Sequence, residues 1–326
     1  MKRFVILMLA MVPVAVWAQF APAEDKPGTT AMHADSSAFV AWATGCIVER
    51  GPQCIVDSLS SGLASFGRES NALGRPGGTM DVVSLGDGGT AIVTFDSPIC
   101  NGKGPDFAVF ENGFANAADP DTWALELAFV EVSSDGENFF RFPAVTYVQT
   151  ETQLDNGGAT DPAQIHNFAS KYGAFYGTPF DLDEVEDNDL LDKNRVTHVR
   201  LVDVVGCIDP EYATYDSQGH IVNNPWPTSF ASSGFDLDAV GVIHDLAHND
   251  VPEQVEERVA VYPNPVKDQL TVTAENLQSV EVYNIVGQQV MASTNNVINL
   301  GALFEGVYFV RISCLEGVVT KRIVKQ

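Results

Sequence analysis

The chain has 326 residues and carries 18 Lys or Arg against 43 Asp or Glu, a formal net charge of −25. Residues 19–257 hold that imbalance, with 10 basic and 38 acidic side chains. Such a surface repels nucleic-acid phosphates and anionic lipid, attracts cations, and excludes both phosphate-rich partners as the main ligand.

Residues 1–18 read as an export signal. Lys2 and Arg3 precede an apolar run from Phe4 to Val16, and Val16-Trp17-Ala18 offers small residues for cleavage. The run falls short of the roughly 20 residues that a membrane span needs. A soluble, exported mature protein with no transmembrane segment is the expectation. Residues 19–37, rich in Ala, Pro, Thr, Ser and Asp, predict a flexible lead-in.

Residues 38–244 form the main domain. TAIVTF (90–95), DFAVFE (106–111), LELAFVEV (125–132) and VTHVRLVDVV (196–205) have strand character. GDGG (86–89), SSDGEN (133–138) and DNGG (155–158) have turn chemistry. AQIHNFASKYG (163–173) predicts a short helix closed by Gly173. Short strands, frequent turns and few helices imply an all-β domain, a jelly-roll-like β-sandwich. Export permits disulfides: the Gly-Pro turn between Cys46 and Cys54 suits a local bridge, and Cys100–Cys207 would be a long-range pair for which the sequence gives no geometry. Residues 245–257 are polar, lack alternation and predict a linker. Residues 258–326 repeat short strands with a turn every 8–12 residues, which suits a small Ig-like β-sandwich, with Cys314 a buried strand thiol.

This last unit reads VAVYPNPVKDQLTV, VEVYNIVGQQV, LGALFEGVYFVRI and GVVTKRIVKQ. In order and position it resembles the type A C-terminal sorting domain of the Bacteroidetes type IX secretion system. The resemblance implies engagement of that machinery, passage across the outer membrane, removal of the tail, and release or attachment at the cell surface. In the main domain, LAFVEVSSDGENFFRFP resembles the strand–turn–strand of discoidin-like and carbohydrate-binding jelly rolls. VVSLGDGGTAIVTFDSPICNGKGPDFAVFENGF with GFDLDAVGVI is similar to a family of bacterial cell-surface β-sandwich proteins, for which no ligand is defined.

Catalytic signatures are missing: there is no G-x-S-x-G, no H-E-x-x-H and no P-loop. Strand register sets Glu126 and Glu131 on opposite faces, against a glycosidase pair. His244 and His248, with Asp245 and Asp250, have zinc-like spacing but lead into the linker. The carboxylates invite Ca²⁺, which takes six to eight oxygens. The candidate ligands are Asp236, Asp238, Asp106, Glu111 and Asn112, and no EF-hand spacing is present. Phe-Asp-Leu-Asp occurs twice. The first copy, at 180–183, runs on into EVEDND and predicts an acidic loop; the second, at 235–238, starts a strand. Period two there puts Asp236, Asp238, Val240 and Val242 on one face. Trp226, Trp123 and Tyr176 lie near loops, where rings can stack on a sugar. The expected function is a secreted or cell-surface, non-catalytic, ligand-binding sandwich, with a glycan as ligand and Ca²⁺ in support. The alternatives are a hydrolase with an unrecognised carboxylate site and a structural or adhesive envelope protein.

Overall fold

The computed structural model describes residues 20–248, 259–285, 287–314 and 317–326. The expected export signal and residues 249–257 of the expected linker lie outside the described residues. The chain is all-β. In the main domain two six-stranded sheets lie face to face. The first runs Met32–His33, Tyr176–Phe180, Phe107–Glu111, Asp236–Val242, Ala41–Trp42, with Val83–Ser84 also paired to Asp236–Val242. The second runs Phe140–Arg141, Ala128–Ser133, Val196–Asp203, Thr90–Ile99, Gly45–Glu49, with Phe168–Ala169 added on Ala128–Ser133. The main-domain pairings are antiparallel. Phe107, Val109, Phe180, Leu237 and Val240 of the first sheet meet Val93, Val130, Val132, Val199 and Leu201 of the second in one core.

The strand Asp236–Val242 departs from strict alternation. Its register against Phe107–Glu111 shifts between Leu237 and Ala239, a bulge at Asp238. Phe235 and Leu237 face the core before it, and Val240 and Val242 face the core after it. An extra residue resets the phase of every side chain beyond it. The expectation that the two aspartates share a face with Val240 and Val242 is therefore wrong.

Three further expectations are corrected. Residues 20–37 do not form a flexible lead-in. Phe20 stacks on Tyr147 and His166 with centroids 5.7 and 5.0 Å away, Ala23 and Ala34 are buried, and Met32–His33 extends the first sheet. Residues 163–173 form no α-helix; a 3-10 turn over Pro162–Gln164 leads into two short strands, Ile165–His166 and Phe168–Ala169. Neither expected disulfide forms. Register explains the long-range case. Ile99 pairs with Val196 while Thr90 pairs with Val202, so Cys100 and Cys207 follow opposite ends of the same strand pair. At about 3.3 Å per residue that is far beyond disulfide reach.

The C-terminal unit pairs a three-stranded sheet (Ala260–Tyr262, Gln269–Thr273, Val297–Asn299) with a four-stranded one (Gln289–Ser293, Leu277–Asn284, Gly306–Cys314, Gly317–Lys325). Leu270, Val272, Val280, Val282, Val310, Ile312 and Ile323 form its separate core. Among the described residues no helix is long and apolar enough to cross a membrane.

Phe180 is 1% exposed, stacks on Phe107 at 5.4 Å and meets Phe142 edge-on at 5.0 Å. Phe180→Ala is expected to cost about 3–5 kcal/mol in chemical denaturation. A loss under about 1 kcal/mol would show that this aromatic cluster does not hold the sheets together.

Candidate functional site

Strand direction sorts the polar residues to the two ends of the sandwich. At one end Phe107–Glu111 finishes, Asp236–Val242 begins, Val196–Asp203 finishes and Thr90–Ile99 begins. Glu111 continues the inward positions Phe107 and Val109, and Asp203 continues Val199 and Leu201. Two inward positions at this end of the sandwich are thus acids, and Asp87 joins them from the turn at 86–89. Glu126 stands in the loop just ahead of Ala128–Ser133, half-buried and close enough for the charges of Asp236, Glu111, Asp203 and Asp87 to act on it. Gly86 makes that turn possible. Its φ is +76°, and a Cβ there would lie 2.4 Å from the Gly51 carbonyl oxygen.

Four of the five acids at this end are held by donors. Glu111 Oε2 accepts from Gly113 N–H at 2.7 Å and Ser170 Oγ at 2.6 Å. Asp203 accepts from Gly88 N–H at 2.9 Å and Phe235 N–H at 2.7 Å. Asp87 Oδ2 accepts from Ile55 N–H at 2.8 Å and Trp226 Nε1–H at 3.0 Å. Across the first sheet, Asp236 accepts from Ser84 Oγ and from Asn112 Nδ2 at 2.9 Å. Glu126 differs: among the described residues no group donates to its carboxylate.

Burial raises all five carboxyls. Asp203 is pushed up to about 8 and Asp236 to about 6. Asp87 is also raised, and Glu111 and Glu126 lie well above the ordinary range. For Glu126 the charges of Asp236, Glu111, Asp203 and Asp87 add to burial. Arg50 draws Asp236 down, but its guanidinium is spent on the carbonyls of Phe66, Ser84 and Gly67.

Of the five residues considered for Ca²⁺, Glu111, Asn112 and Asp236 meet here. Asp238 is near but separate, accepting from Gly77 and Gly78 N–H at 2.8 and 3.2 Å. Asp106 stands at the opposite end, where it accepts from Gly102 and Leu182 N–H and pairs with His244 Nδ1 at 2.8 Å. These side chains do not fit a single cage. Their oxygens face N–H and O–H donors, and among the described residues no three His, Cys, Asp or Glu side chains group as a metal site. His244 and His248 likewise part, one to Asp106 and one to Asp245. Asp250 lies outside the described residues.

Trp226 and Trp123 are half-buried at the acidic end. The Trp123 ring lies against Gly173, which also approaches the Gly113 carbonyl next to Glu111. Tyr176 sits apart, edge-on to His33 at the edge of the sheet. The first Phe-Asp-Leu-Asp copy is a turn in which Asp181 accepts from Asp183 N–H. Its continuation lines a broad cavity of about 600 Å³ with Arg141 and Lys193. Glu131 is bound between Arg141 and Arg200, which removes it from any acid–base pairing. Sequence reasoning missed Asp87 and Asp203 and set Glu126 aside. The signal for Asp203 was available, because VTHVRLVD alternates straight into it.

Residues 260–326 match the family described as the secretion system C-terminal sorting domain. No curated protein matches the chain. Among solved structures the chain is similar to "Biofilm associated protein - BSP domain", at 12% identity and a TM-score of 0.17. The similarity covers 73% of this chain and 48% of that one, so the chain spans about half the length of that structure.

The raised carboxyls fix the sign of a pH effect. The folded protein binds these protons more tightly than the unfolded chain, whose aspartates titrate near 3.9. Their contribution to stability is complete below about pH 4 and is lost as pH rises through about 6 for Asp236 and about 8 for Asp203. Thermal unfolding temperature is expected to fall as the pH is raised from about 6 to about 9. Asp203→Asn, which keeps a neutral group there, flattens the upper part of that decline. A stability that climbs over this range would contradict the burial of the acids.

Proposed function

We propose that the protein is a non-catalytic, ligand-binding β-sandwich that takes a hydroxyl-rich ligand, a glycan, at the acid-lined mouth of its main domain. The sorting tail at 260–326 directs the chain to the cell surface or to secretion and implies contact with the type IX secretion machinery. The single observation that carries the binding reading is Glu126. It sits among the acids at this end of the sandwich, burial and the charges of Asp236, Glu111, Asp203 and Asp87 raise its carboxyl well above the usual range, and it has no donor among the described residues. A protonated carboxyl both donates and accepts, as a sugar hydroxyl does. The half-buried rings of Trp226, which donates to Asp87, and of Trp123 supply apolar surface at the same end. The reading does not rest on Ca²⁺, since N–H and O–H donors already hold Glu111, Asp203, Asp87 and Asp236.

One observation favours a second reading. A carboxyl held protonated by burial beside other carboxyls is also the acid of a glycoside hydrolase. In that case Glu126 would give its proton to a leaving oxygen.

A glycan array with the full mature protein tests both. Binding is expected, and Trp226→Ala or Glu126→Gln should each weaken it by about tenfold, roughly 1.4 kcal/mol. No binding, or binding untouched by either change, would sink the mouth as the site. Release of reducing sugar that vanishes in Glu126→Gln would move the assignment to hydrolysis. Deleting residues 260–326 is expected to leave the main domain folded and held in the periplasm, as followed by cell fractionation. Efficient appearance of the truncated chain outside the cell would refute the sorting role.

A further inference from the structure

A second cavity, of about 350 Å³, is separate from the acidic mouth. Phe20 and Pro179 form apolar walls, and His166, Asn167, Lys171 and Glu184 supply the polar groups. The volume lies within the range of small-ligand sites. Its backbone is held in an uncommon state, since Asn167 has φ +54°. Non-glycine residues at positive φ cost energy and cluster where function demands them. Asn167 is 6% exposed and donates its side-chain amide to Glu184, and His166 Nε2 lies 3.3 Å from the same carboxylate. These contacts lower the Glu184 pKa, His166 contributing most, so Glu184 is an ionised acceptor at the cavity wall.

Lys171 is the unusual member. It is 4% exposed, and its Nζ donates to the carbonyls of Pro162 and Ile165. An ammonium has three N–H groups, so one remains. Among the described residues no carboxylate forms an ion pair with it, although residues 19–257 carry 38 acids. Asp161 acts on it only at a distance. A buried cation without a counter-ion is costly, and a ligand anion relieves that cost.

We propose that this cavity binds a sugar acid, a uronate, with its carboxylate on the remaining N–H of Lys171, a hydroxyl on Glu184, and one apolar face against Phe20 and Pro179. Three features select this class. The lysine calls for an anion, and the ionised Glu184 rejects a second one while accepting a hydroxyl. An α-amino acid would bring its own ammonium up to Lys171 together with its carboxylate. The site uses none of the mouth residues.

Titration calorimetry of the full mature protein with D-glucuronate tests the assignment. D-Glucose, the methyl ester of glucuronate and L-alanine serve as controls. Glucuronate is expected to bind at least about tenfold more tightly than each of them. Burial pushes the Lys171 amine down to about 7, with Asp161 opposing. His166, Asp181 and Glu184 are the other titratable groups facing the cavity. A bound carboxylate raises the amine again, so a proton is taken up on binding near pH 7.5, and the heat changes with the ionisation heat of the buffer. Lys171→Met should abolish both the affinity and the proton uptake, and Glu184→Gln should weaken binding. Trp226→Ala and Glu126→Gln should change neither, which separates this site from the mouth. Equal affinity for glucose or the ester, tighter binding of alanine, or no heat with glucuronate would each overturn the proposal. The wild-type comparisons decide it even if Lys171→Met fails to fold.

Discussion

The bulge at Asp238 is the constraint on which the main domain depends. Without the extra residue, a strand reading Phe-Asp-Leu-Asp-Ala-Val-Gly-Val would send either Phe235 and Leu237 or Val240 and Val242 away from the core. With it, all four are buried against the second sheet. The displaced aspartate would be an unpaired buried charge, and the backbone N–H groups of Gly77 and Gly78 take it up. Sheet phase and carboxylate solvation are one arrangement, and neither could be changed alone.

The same economy shapes the two ends of the sandwich. Where strands run out of the core, inward positions pass from Val and Phe to Glu111 and Asp203, and Asp106 stands just before Phe107 at the other end. Each of these acids is met by N–H groups of the adjoining turn. Asp106 also has His244, so that end is closed by an internal pair. Among the described residues the opposite end has no such cation in contact, and its carboxyls are raised by burial instead. This asymmetry, rather than the total charge, distinguishes the two ends.

Local patterns in the sequence carried much of this. The alternation of Val199 and Leu201, the turn chemistry of SSDGEN and the ordered motifs after residue 258 are short-range signals, and strands, turns and the sorting tail follow from them. Asp135 illustrates the turn. Its carboxylate accepts from the side chain and backbone of Asn138 and from the backbone of Glu137, which holds its pKa far below normal and gives it a structural task. The separation of Asp106 from Glu111 was also readable, since one strand lies between them. The bulge was not, because FDLDAVGV fits unbroken period two until its partner strand is known. The packing of residues 20–37 was hidden for a related reason. Phe20 owes its place to Tyr147 and His166, residues far away in the chain. Glu126 looked inert because its parity was compared with Glu131 and not with the acids on other strands.

The pairing order of the first sheet has a kinetic consequence. Its neighbours in space come from residues near 32, 177, 108, 240 and 42, so almost every ladder joins distant parts of the chain. Relative contact order is high, and such topologies fold slowly because long loops must close before any contact rewards them. The central strand Asp236–Val242 comes near the end of the domain. A chain threaded from its N-terminus therefore stays open until that strand emerges, and the sandwich closes in one late, cooperative step.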